Sequence, residues 1–131
     1  MKTNLNQIAK ELHESAIKKG FWENKKETGT LLMLIVSELS EALEADRKNH
    51  HADIATFENC QNADDILEND KEYYINQSFQ AWIKDSFEDE IADTFIRLFD
   101  LVGYLGIDLD KHIELKMQYN QTRKYKHGKA Y

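Results

Sequence analysis

The chain of 131 residues has no proline and a single cysteine, Cys60. Without proline, no residue forces a helix to kink or stop. One cysteine excludes an intramolecular disulfide and fits a reducing, cytoplasmic location. Long apolar runs are missing too: the longest, Leu31 to Val36, is far too short to cross a bilayer, so no membrane partner is expected. Met1 to Lys10 lacks the apolar stretch of a secretory signal. Cations are outnumbered, 17 Lys and Arg against 24 Asp and Glu, and the resulting net charge of −7 predicts no nucleic-acid partner. There is no Walker motif, no Gly-rich dinucleotide loop, no Ser-centred elbow and no internal repeat.

What is present is helical periodicity. With 31% charged and 41% apolar residues the chain reads as globular, one all-α domain over residues 1–131. A first helix is predicted from about Asn4 to Lys19, with Leu5, Ile8, Leu12 and Ala16 as its apolar stripe and Gly20 just beyond its end. Phe21 and Trp22 follow in a connector, and a second helix runs from Thr28 or Thr30 to about Lys48. His50 to Gln77 is rich in Asn and Asp and weakly periodic; short turns are expected over Ala52 to Phe57 and Ala63 to Glu68, with His50 and His51 in a loop. A third, long helix is expected from near Asn76 to before Gly106, with Phe79, Trp82, Ile83, Phe87, Ile91, Phe95, Leu98, Phe99 and Val102 on its apolar face and Gly103 weakening it. Asp108 is an N-cap for a fourth helix, Leu109 to about Lys126.

Two pairs of carboxylates stand out, Glu38 with Glu41 and Glu90 with Asp93. Residues three apart lie about 60° apart around a helix, so each pair projects as a fork. Leu31, Leu34, Glu38, Glu41 and Ala45 share one stripe, with Ile35, Leu39 and Ala42 beside it, which puts Glu38 among core-facing residues. A buried carboxylate needs a cation, a proton or a partner. Facing forks would offer four hard oxygen donors, suited to Mg²⁺ or Mn²⁺. The plainer reading makes Glu38 and Glu41 rim carboxylates, and Glu90, Asp93, Arg97 and Asp100 a solvated sector with an Asp93–Arg97 pair.

On the fourth helix Leu109, Ile113, Lys116, Asn120, Arg123 and His127 form one stripe that begins apolar and turns cationic. Those donors suit phosphate oxygens, although a solvated helix end explains them as well. Trp22 and Trp82 could stack a base or belong to the core, and Cys60 lacks an evident base partner.

The segments Ser37-Glu38-Leu39-Ser40-Glu41-Ala42-Leu43-Glu44, Asp89-Glu90-Ile91-Ala92-Asp93 and Lys116-Met117-Gln118-Tyr119-Asn120-Gln121-Thr122-Arg123, with His127-Gly128-Lys129, resemble the MazG-like nucleoside triphosphate pyrophosphohydrolases. Gly20-Phe21-Trp22 is also similar to the family's pattern. The resemblance implies a four-helix core, usually a homodimer or homotetramer, with residues of about 50–87 as an atypical long insertion between the second and third core helices. It implies Mg²⁺, with Mn²⁺ as an alternative, on Glu38, Glu41, Glu90 and Asp93, and Lys116, Asn120 and Arg123 on the phosphate side of a nucleoside triphosphate. Cleavage to a nucleoside monophosphate and pyrophosphate would follow, with Glu41 orienting or deprotonating the water and Trp22 near the substrate. A silent nucleotide sensor, a structural oligomeric bundle and a phosphohydrolase of different cleavage site are the alternatives.

Overall fold

The computed structural model describes residues 4–62 and 67–130. Among them it is all-helical, without a strand: α1 (Leu5–Lys18), α2 (Thr28–Arg47), α3 (Ile54–Gln61), α4 (Lys71–Trp82), α5 (Phe87–Leu105) and α6 (Leu109–Gln121), with short 3-10 turns at Glu68–Asp70 and Tyr125–Gly128. The described chain divides into two compact units, one formed by residues up to Lys25 and from Leu98 onward, the other by Lys26–Arg97.

In the first unit, α1 and α6 cap each other. The Asn4 side chain accepts from the Gln7 N–H, and the Asp110 carboxylate accepts from the N–H groups of Leu5 and Asn6 at 3.2 and 3.1 Å. In return Asn6 Oδ1 accepts from the Leu109 N–H at 2.8 Å, and Asn6 Nδ2 donates to Asp108, which itself accepts from the Lys111 N–H. Donors that a helix start leaves bare are thus satisfied across the pair. At its other end α1 closes on a left-handed Gly20 at φ +84°, with Gly20 N–H donating to Ile17 O and Phe21 N–H to Ala16 O. That is the Schellman pattern, for which glycine carries no Cβ penalty. Ala9, the most buried residue of α1, lies against Gly103 of α5, where an added Cβ would stand 2.6 Å from Ala9 O and 2.7 Å from His13 Cβ. Gly103 is therefore a point of close backbone approach, and its weak helix propensity is the lesser effect.

In the second unit α2 buries Ile35, Glu38, Ala42 and Ala45, and leaves Leu32, Val36, Leu39 and Leu43 exposed. The expected stripe is correct for Glu38 and Ala45, but Glu41 and Leu39 fall outside the buried arc. Asn49, left-handed at φ +52°, ends α2, and His50 and His51 follow in a loop. That loop is tied down by Asp53 N–H to Trp82 O and Phe87 N–H to His50 O, both 2.9 Å. α3 and α4 pack together, Phe57 edge-on to Phe79 at 6.4 Å.

The expected third helix is two helices, so the long insertion expected over about 50–87, between the second and third core helices, contains both α3 and α4. α4 starts earlier than predicted, at Lys71, and stops at Trp82. Asp85 turns left-handed at φ +60°, and Ser86 starts α5 by accepting from the Asp89 N–H. Three acids, Glu88, Asp89 and Glu90, fill the first turn, where the helix dipole favours them. The fourth helix is shorter than expected, ending at Gln121. The turn expected over Ala52 to Phe57 belongs to α3, and residues 63–66 of the other expected turn lie outside the described residues.

Gly103→Ala should destabilise the protein by about 1–3 kcal/mol through overpacking, despite alanine's better helix propensity. A thermal melt monitored by circular dichroism reads this; an unchanged or higher Tm would refute the close approach.

Candidate metal centre

Both forks belong to the second unit. Glu38 and Glu41 come from α2, and Glu90 and Asp93 from the first turns of α5. Glu38 is 7% exposed and Glu90 5%, whereas Asp93 is more open to solvent and Glu41 is exposed. One carboxylate oxygen each from Glu38, Glu90 and Asp93 lie within 4.8 Å of one another. Glu41 shares a hydrogen bond with Glu90. The expected forks therefore meet, with three members in one cluster and the fourth, Glu41, beside it.

A cation is already present. Arg97 Nε donates to Glu38 Oε1, so the buried glutamate is paired. The Asp93–Arg97 pairing considered from spacing gives way to this cross-helix bond, and the Arg97 charge offsets only part of the rise in the Asp93 pKa. One guanidinium does not answer four carboxyls. Burial, followed by the Glu41 charge and the hydrogen bond shared with Glu41, pushes Glu90 up to about 7 from an ordinary 4.5. Asp93 is raised as well, by burial first and then by Asp89 and Glu38.

A second set of oxygens adjoins the first: Asp85, Asp89 and Glu90 also come within 4.8 Å. Asp89 Oδ2 accepts from the Asp85 N–H, and Lys84 pairs with Asp85 at 3.0 Å, so this set is largely occupied with starting α5. An open groove of about 380 Å³ runs past the centre, lined by Glu41, Glu44, Ala45, Lys48, His50, Asp85 and Glu90. At its side His51 Nδ1 and the Ala52 N–H hold Glu88, each at 2.9 Å, which keeps that carboxyl below the usual range. Asp85, Asp89 and Arg97 were not singled out as site residues by spacing. Asp85 was hidden because the apolar pattern ran unbroken across it. Arg97 had a closer partner in sequence.

Lys116, Asn120, Arg123 and Trp22 belong to the first unit. Lys116 Nζ and the Arg123 guanidinium both lie over the Tyr119 ring, 5.2 and 5.6 Å from its centroid. Arg123 also donates to His127 O at 3.3 Å. Asn120 Oδ1 is buried without a hydrogen-bond partner among the described residues. Trp22 is engaged locally: its Nε1–H donates to both Asp100 oxygens at 3.0 and 3.2 Å, and its ring stacks on Tyr104 at 4.2 Å. His13 Nδ1 completes the cluster at 2.7 Å from Asp100 Oδ1.

No helix among the described residues is long and apolar enough to cross a membrane. No curated protein and no solved structure matches the chain. A protein-family model described as bacterial mobilisation protein (MobC) matches residues 1–42, under half of the 131 residues. This match overturns the expected MazG-like membership, and with it the nucleotide pyrophosphohydrolase function, the nucleoside triphosphate partner and the exclusion of nucleic acid. Acid pairs at i,i+3 are common on helices, and the match spans the first of them, Glu38 and Glu41. Net charge misled for another reason: it averages over a chain whose acids and late cations are segregated.

Proposed function

We propose that this protein binds a divalent cation, Mg²⁺ or Mn²⁺, at Glu38, Glu90 and Asp93 with Glu41 alongside, and acts as a cation-dependent partner of DNA. The observation that carries the reading is the cluster of three carboxylate oxygens within 4.8 Å, two of them from buried glutamates. Ligand oxygens on a cation with 2.0–2.6 Å bonds stand at most about 4–5 Å apart, and the three carboxylate oxygens lie within that limit. The donors are all hard oxygens, which favours Mg²⁺ or Mn²⁺ over zinc. Arg97 neutralises one charge and leaves the rest to a cation or to protons.

The DNA part of the reading rests on the likeness of residues 1–42 to a mobilisation family, since we take mobilisation to mean the handling of DNA. An acidic surface repels a phosphate backbone, and neutralising the centre removes part of that repulsion. A bound cation would supply a Lewis acid to a phosphate oxygen. Glu41, exposed at the edge of the cluster, is the residue we assign as a further oxygen donor to such a cation.

Two measurements test the centre. Isothermal titration with Mn²⁺ should show a binding event that Glu90→Gln and Asp93→Asn each weaken at least tenfold. A wild-type chain that takes up no Mn²⁺ or Mg²⁺ at millimolar concentration would sink the reading.

The second is pH dependence in EDTA. Glu90 has a native pKa of about 7 against an ordinary 4.5, so the stability its protonated form contributes is complete below 4.5 and lost as pH rises through about 7. Asp93 acts in the same direction. Glu88, Asp53 and Asp108 are held below their usual values, so their effects fall at lower pH. Tm should therefore drop between pH 4.5 and 7.5, Glu90→Gln should flatten the slope, and Mg²⁺ should restore stability at pH 7.5. A flat wild-type profile across that window would contradict the buried, proton-sharing carboxyl.

A further inference from the structure

We propose that the segment from Lys116 to Lys129 is a contact surface for single-stranded nucleic acid. It extends the DNA reading but does not depend on the carboxylate centre.

The chain carries a net charge of −7, yet no Asp or Glu follows Glu114, while Lys116, Arg123, Lys124, Lys126 and Lys129 do. No acid lies on the segment itself, and acids farther than about a Debye length are screened at physiological salt. Two tyrosines are interleaved with the cations. Tyr125 is 89% exposed, between Lys124 and Lys126, and Tyr119 is exposed with Lys116 and Arg123 over its ring.

Tyr125 stands at the start of a hydrogen-bonded turn. After α6 the chain makes a 3-10 turn over Tyr125–Gly128, with Lys126 and His127 both left-handed at φ 52° and 53°. His127 N–H donates to Lys124 O at 2.7 Å, and Arg123 reaches His127 O. Consecutive non-glycine residues in this region each cost about 1 kcal/mol or more, which ties the turn to one conformation only where other bonds maintain it.

A platform of this kind favours a single strand. Cations track the phosphates, and an exposed aromatic face stacks an unpaired base regardless of its identity. A duplex keeps its base faces covered and calls for a broader basic surface than five cations on one segment. An anionic membrane is the weaker partner, because residues 123–129 hold no aliphatic or Trp side chain to insert and Met117 is the one exposed non-aromatic apolar side chain of the segment.

Fluorescence anisotropy with a labelled dT 12-mer and a matched blunt duplex tests this at several salt concentrations, in EDTA and in Mg²⁺. Expected are preference for the single strand, a five- to hundredfold loss in Tyr125→Ala, and a salt slope reduced by about 2 in the Lys124→Gln, Lys126→Gln, Lys129→Gln triple variant. These positions are exposed and lie beyond the α-helices, so circular dichroism should find the variants folded. Binding in EDTA that the variants lose supports the segment, and a further gain in Mg²⁺ that the variants retain is what the cation reading adds. Binding only in Mg²⁺, untouched by the variants, overturns the segment and leaves the cation reading standing. No binding to the oligonucleotide, equal affinity for the duplex, or binding only to phosphatidylserine vesicles also overturns the proposal.

Discussion

Glu38 and Glu90 are buried at 7% and 5% exposure, and a buried carboxylate must be answered by a cation, a proton or a donor. Arg97 answers Glu38, while Glu90, buried and beside the Glu41 charge, has its carboxyl pushed up to about 7 and so toward holding a proton. This unequal settlement governs the second unit. It places α2 against the start of α5, leaves excess negative charge facing a groove, and makes the local stability depend on whatever supplies positive charge there. On the reading proposed above, a proton and a divalent cation would compete for the same oxygens, and acidity would then be coupled to cation occupancy.

Helix starts and stops were legible where one residue type has one strong local preference. Gly20 and Gly106 end helices in the left-handed region, and Asp108 caps α6, as their positions after or before apolar stripes imply. The division between α4 and α5 was not legible from periodicity. Phe79, Trp82, Ile83 and Phe87 keep helical spacing across Ile83 to Ser86, so the apolar pattern reads as continuous. The signal lay in polar residues: Ser86 followed three positions later by Asp89 is a helix start, even with apolar neighbours on both sides.

The centre was partly legible for a similar reason. Periodicity puts Glu38 on a buried face, and the fork spacing brings Glu90 and Asp93 to one side of their helix. It says nothing of a partner on a distant helix: spacing offers Arg97 only its neighbour Asp93, while Arg97 bonds Glu38. The wider resemblance to a nucleotide-cleaving family failed because each motif carrying it has an ordinary helical explanation. Trp22 illustrates the point: an aromatic suited to a base is instead bonded to Asp100 and stacked on Tyr104.

The mutual capping of α1 and α6 has a consequence for folding. Leu5 and Asp110 are 105 positions apart, and the bonds joining them satisfy the first turns of both helices. Fraying at either start strips donors or acceptors from the other, so the two starts protect and expose their amides together. Helix ends are ordinarily the first amides to exchange with solvent. Here they form a single cooperative latch, closed only after nearly the whole chain has been brought round.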